Sequence, residues 1–197
     1  MKPTDEARAP SSVRIPLPLA LGFALFVVVL AYLVTASLVR RETMTFAPRP
    51  LRQGGLAQAT ALDTATIDTT DPERWRYLDL DFGLQLELPD TAGWDLALRR
   101  YNVQAPTAIT DIGPVAFELA SVGTDQLSVS DSDNGETYAI ERWYSYSMVS
   151  HLLEPNGHVY LIRTDQGRTA KLQVLSYYCP ALRAGCLTFR YREIDAS

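Results

Sequence analysis

A mainly β chain behind a single N-terminal transmembrane helix is the architecture the sequence predicts, and three features predict it. From Leu17 to Val39 no charged residue interrupts 23 positions, where a bilayer core needs roughly 20 apolar residues in a helix. From Leu78 to Leu88, leucine or phenylalanine alternates with Asp79, Asp81, Gly83, Gln85 and Glu87, the period of two that marks a strand with one buried face. Cys179 and Cys186, the two cysteines of the chain, flank a segment that reads as a hairpin.

The length of 197 residues suits one compact domain with an appendage. A hydrophobic fraction of 47% and a mean hydropathy of -0.05 average an intensely apolar block with a polar remainder. The net charge of -5 and pI near 5.0 argue against nucleic acid as a partner, because phosphate binding needs clustered Lys and Arg.

The apolar run exceeds the roughly 7–15 residues of a signal-peptide core, which favours an uncleaved anchor. Val34-Thr35-Ala36 before Ser37 nevertheless resembles a small-residue cleavage site. Lys2, Arg8 and Arg14 on one side balance Arg40, Arg41, Arg49 and Arg52 on the other, so charge leaves the orientation open. The cysteines break the tie. With no other ligand-type residues nearby for a metal site, a Cys179–Cys186 disulfide is expected, which places the C-terminal domain in an oxidising compartment. Two buried thiols in a cytosolic domain are the alternative. The expected topology is single-pass in a bacterial inner membrane, with a cytoplasmic tail (1–16), the helix (17–39), a periplasmic linker (40–73) and a periplasmic β domain (74–197).

The linker assignment rests on a stretch rich in Thr, Ala, Pro and Gly from Thr43 to Asp71 that has neither a helical nor a strand period. Beyond it, Gly83 is expected to mark a bend or bulge. A second strand region spans Trp94 to Val103, and further candidates run from Val115 to Leu119 and from Leu127 to Val129. Asp133-Asn134-Gly135 supplies a tight-turn signal. The segment Glu141 to Leu153 reads as a helix or as a strand plus loop. The last third predicts a three-stranded meander: His158–Thr164, Thr169–Tyr178 and Cys186–Arg192. Short strands at regular spacing point to an antiparallel β-sandwich.

Little in the chain suggests chemistry. It has two histidines, His151 and His158, and no phosphate-cradling glycine loop, H-E-x-x-H or G-x-S-x-G motif. No enzyme activity and no metal site are therefore expected. The run Asp131–Gly135 resembles a calcium loop, but its glycine comes early and no acidic residue closes it, so it reads as a turn. His158 should share a strand face with Tyr160 and Ile162. Tyr177 and Tyr178 should point to opposite faces, so at most one could line a pocket. Trp143, Tyr144 and Tyr146 read as core aromatics that could also flank a ligand or partner.

Three stretches resemble the HmuY-like haem-binding proteins of bacterial surfaces and periplasms. They are Trp94-Asp95-Leu96-Ala97-Leu98; the hairpin from His158 to Tyr178, with its V-Y-x-x-R-T…G…K-L-x-x-x-x-Y-Y pattern; and Gly185–Tyr191, with G-x-x-T-F-x-Y. The likeness covers roughly 74–192. It implies the fold, and it implies haem binding, with His151, His158, Tyr177 or Tyr178 as candidate ligands. Family members use His or Met axial pairs, whereas Tyr177, Tyr178 and Cys179 occupy the position after the penultimate strand here. Members are also lipid-anchored or secreted, while this chain carries a helix long enough to span. Both departures favour a non-catalytic, cofactor-free accessory subunit whose partners are the bilayer and integral membrane proteins, in an electron-transfer complex (photosynthetic or respiratory). A membrane-tethered haem or tetrapyrrole binder is the alternative.

Overall fold

The computed structural model describes residues 16–38, 43–58, 62–87, 93–120, 138–140 and 142–194. The chain divides into two units, Met1–Glu42 and Thr43–Ser197. The first contains helix α1, Leu17–Leu38, whose 22 residues rise about 33 Å at 1.5 Å per residue. It is long and apolar enough to cross a membrane, and it is apolar all round, with every side chain from Leu17 to Thr35 exposed.

The second unit is antiparallel β. Its strands are β1 (Asp63–Asp68), β2 (Arg76–Asp79), β3 (Leu84–Leu86), β4 (Leu96–Arg99), β5 (Asn102–Ala105), β6 (Ala108–Asp111), β7 (Tyr138–Ala139), β8 (Tyr144–Tyr146), β9 (Leu153–Pro155), β10 (Tyr160–Arg163), β11 (Thr169–Cys179) and β12 (Arg183–Glu193). One sheet runs β1-β12-β11-β10-β6 and another β3-β2-β4-β5-β7, while β8 and β9 pair as a separate hairpin. Ala65, Ile67, Ile162, Leu172, Leu187 and Phe189 from the first sheet and Leu78, Leu96, Leu98 and Val103 from the second belong to one buried cluster. That shared core makes the unit a sandwich.

The expected meander is present as β10, β11 and β12, and the segment after Glu141 is strand plus loop. The Cys179–Cys186 disulfide is formed across the β11–β12 turn. Leu127–Val129 and Asp133-Asn134-Gly135 lie outside the described residues.

Three expectations are corrected. The stretch 40–73 is not simply a linker. Met44 accepts a hydrogen bond from the Ser176 hydroxyl, Phe46 N donates to Tyr178 O at 3.0 Å, and Arg49 exchanges backbone bonds of 2.8 and 2.9 Å with Thr66. Leu51 and Leu56 enter the core, and β1 pairs with β12 along its whole length. The part ahead of β1, a strap over 43–58, shows no period because it touches the sandwich through single bridges and a helical turn, Gly55–Gln58, rather than a ladder. In β1 the buried Thr66 bonds Thr188 across the strands at 3.0 Å, so threonine fills positions that a hydropathy pattern scores as solvent-facing.

The alternating run from Leu78 is likewise not one strand but the hairpin β2–β3. Leu80 is buried, yet Phe82 is 53% exposed, so the alternation ends at the turn. Gly83 supplies the reversal at φ 71°, and a Cβ there would stand 1.8 Å from the Arg52 carbonyl oxygen. Gly54 N and Leu56 N donate to Phe82 O and Leu80 O, fastening the strap to this turn. Finally, the candidate strand at Val115–Leu119 contains a 3-10 turn, Phe117–Leu119. Buried Lys171 explains it, since its Nζ donates to the carbonyls of Phe117 (2.6 Å) and Ala120 (3.1 Å), groups a strand would have turned to a neighbour.

Two outcomes follow for thermal or denaturant unfolding of the full chain in mild detergent. Replacing both Cys179 and Cys186 by Ser should cost roughly 2–3 kcal/mol, the loop-closure entropy of a short loop. Gly83→Ala should cost about 2–3 kcal/mol, because alanine meets both an unfavourable φ and the strap backbone.

Candidate functional site

An open cleft of about 540 Å³ lies where β6 and β10 meet the segments around β7 and β8, within the usual range of ligand pockets. Asp111, Arg142, Tyr144, Asn156, His158 and Tyr160 line it, together with aliphatic side chains. Antiparallel register places Asp111 opposite Tyr160 at the end of β6 and β10, which brings His158, two residues upstream, beside the carboxylate. His158 Nδ1 lies 2.8 Å from Asp111 Oδ2 and 3.0 Å from Oδ1. Its backbone N–H donates to Asn156 Oδ1 at 3.0 Å, and Asn156 Nδ2 donates to Arg142 O at 2.7 Å. The imidazole is thus held from both its ring and its backbone, while no described residue hydrogen-bonds Nε2.

A carboxylate on one ring nitrogen with the other facing a cleft is how proteins orient a histidine that ligates a metal or haem iron. The rest of the lining mixes the Arg142 guanidinium, Asn156 and two tyrosines with Ile109, Ala139 and Ile140. Burial pushes the Tyr160 phenol up to about 12, so it stays a hydrogen-bond donor, aimed at Arg142 O at 3.4 Å. Trp143 sets the position of β8 from behind. Fully buried, it donates its indole N–H to Tyr101 O at 2.6 Å and meets Tyr144 and Tyr177 at centroid distances of 5.0 and 6.0 Å.

The candidate ligands do not converge. His158 lines the cleft, whereas His151 belongs to the β8–β9 connection, exposed, with Nδ1 2.7 Å from the Tyr146 hydroxyl. Tyr177 and Tyr178 are both buried in the core rather than on opposite faces, their rings 5.6 Å apart. Register shifts between Val174 and Tyr178 break the alternation of β11 and turn both inward. Tyr178 OH is engaged as the acceptor for Leu153 N at 2.7 Å, and burial pushes the Tyr177 phenol up. Neither tyrosine is a cleft residue. Sequence reasoning missed Asp111, Arg142, Asn156 and Tyr160; the Asp111–His158 pair spans 47 positions and depends on the β6–β10 register.

Solved structures share this architecture. A lipoprotein-type protein of Bacteroides fragilis matches with TM-score 0.53 and 21% identity over 71% of this chain and 93% of its own. The apo HmuY analog of Tannerella forsythia matches with TM-score 0.53 and 14% identity over 71% and 98%. Apo PinO of Porphyromonas gingivitis gives 0.54 and 12% over 71% and 100%. The fold is HmuY-like. No protein-family profile matches the sequence, and no curated protein is significantly similar to it. At these identities the HmuY-like likeness is one of fold, which agrees with the scattered positions of the candidate ligands.

Trp143→Phe should keep the HmuY-like fold but lose the bond to Tyr101 O, costing about 1–2 kcal/mol in thermal unfolding.

Proposed function

We propose that the chain is a non-catalytic, membrane-anchored accessory subunit whose HmuY-like domain docks onto the extracytoplasmic parts of integral membrane partners. The observation that carries this reading is α1, 22 residues whose side chains from Leu17 to Thr35 are all exposed. An all-apolar, exposed helix suits a lipid environment, and the disulfide suits an oxidising compartment. Tyr146, Met148 and Val149, exposed on the β8–β9 hairpin, offer an apolar docking tip of the adaptable kind that methionine provides.

A tethered haem binder is the second reading, favoured by the Asp111–His158 pair with its open Nε2. One purification distinguishes them: a mild-detergent pull-down through a C-terminal tag, read by mass spectrometry and by the absorption spectrum of the same eluate. Stoichiometric membrane partners, with any pigment assignable to them, are expected. A lone chain with a Soret band that His158→Ala abolishes and His151→Ala retains would replace this reading with the haem-binding one.

A further inference from the structure

The β2–β3 turn carries a second cluster, far in character from the cleft. Asp79, Asp81 and Asp95 are buried, at 7%, 1% and 0% exposure, and each offers a carboxylate oxygen within 4.8 Å of the others. Two of the three have evident structural work. Asp95 Oδ2 accepts Leu80 N at 2.7 Å and its Oδ1 accepts Asp165 N at 2.9 Å. Asp79 Oδ1 accepts Phe82 N at 2.9 Å. Asp81 is different: both of its oxygens are sealed from solvent, and neither has a hydrogen-bond partner among the described residues. Arg168 Nε stands 3.7 Å from Oδ1, beyond hydrogen-bonding distance, and is shared with Glu193 at 3.8 Å.

A buried carboxylate without hydrogen bonds costs several kcal/mol as an ion. A cation offsets that cost directly. We propose that Asp79, Asp81 and Asp95 form a calcium site, with Asp81 as its otherwise unpartnered ligand. The donors are all hard oxygens, and two oxygens on opposite sides of a calcium ion stand about 4.6–5.2 Å apart, compatible with the spread of this cluster. Magnesium usually keeps several waters and is not held in all-protein cages, and zinc takes nitrogen and sulfur.

Charge supports the same ion. Three carboxylates against a divalent cation leave a single negative charge, beside the Arg168 guanidinium that Asp81 shares with Glu193. The consequence is mechanical. The turn is where Gly54 and Leu56 of the strap bond Phe82 O and Leu80 O, so calcium would stiffen the place at which the segment following the anchor grips the sandwich.

The test uses the full chain in mild detergent, stripped with chelator and titrated with calcium chloride, followed by calorimetry and by thermal unfolding. Saturable binding is expected, with Tm rising by roughly 5–10 °C at a hundredfold excess over Kd, and magnesium at equal concentration giving less than half that shift. Asp81→Asn removes no hydrogen bond, so it should fold without calcium at an unchanged or higher Tm and lose the calcium response. Asp79→Asn, which keeps an acceptor for Phe82 N, should weaken binding at least tenfold and serves if Asp81→Asn fails to fold. Absence of saturable heat and of any Tm change up to 10-fold above 1 mM calcium, on the order of the weakest extracellular sites, overturns the proposal. So does an Asp81→Asn protein that responds like the parent.

Discussion

The β11–β12 hairpin is the constraint on which the rest of the sandwich depends. Two strands of 11 residues each pair across a short turn closed by Cys179–Cys186, and every other strand of that sheet is added outward from them, β1 on one side and β10 then β6 on the other. The opposite sheet packs against the apolar face that β11 and β12 present through Leu172, Val174, Leu187 and Phe189. The same hairpin anchors the strap, because Ser176 and Tyr178 bond Met44 and Phe46. Its irregularity matters as much as its length. The register shifts near Ser176 turn Tyr177 and Tyr178 into the core together, which withdraws both phenols from ligand duty and builds the aromatic wall behind Trp143.

Polar groups are concentrated at two places that the sandwich holds apart in function. At the cleft, Asp111 and Asn156 orient His158, and Tyr160 remains a neutral donor. At the β2–β3 turn, Asp95 joins two turns distant in sequence while Asp81 is left unsatisfied. The first arrangement is a half-exposed histidine–carboxylate contact, screened by water and worth little to stability. The second is sealed, so its electrostatics are strong and its occupancy matters to the fold. The difference in burial leaves the cleft open to solvent and the three carboxylates of the turn closed to it.

What was readable beforehand depended on local repetition. The meander of β10, β11 and β12 was legible because consecutive strand-like segments and paired cysteines both give local signals. The strap was not, because its backbone bonds go singly to separate elements, at Thr66, Leu80, Phe82 and Tyr178, and its composition is that of a free linker. Asp79 and Asp81 occupy the polar phase of the Leu78–Leu88 alternation, yet the chain reverses at Gly83 against Arg52 and both aspartates are buried.

By itself, then, the sequence determined the apolar N-terminal helix, the β class of the remainder, the disulfide and the C-terminal strand order, since each is written in residues close together along the chain. Tertiary structure alone decided that Thr43–Asp68 belongs to the domain, that one of four candidate ligands reaches the cleft, and that three aspartates share a buried turn. Those outcomes rest on cross-strand register and on what lies over a turn, and a one-residue change in register would reassign every side chain to the other face.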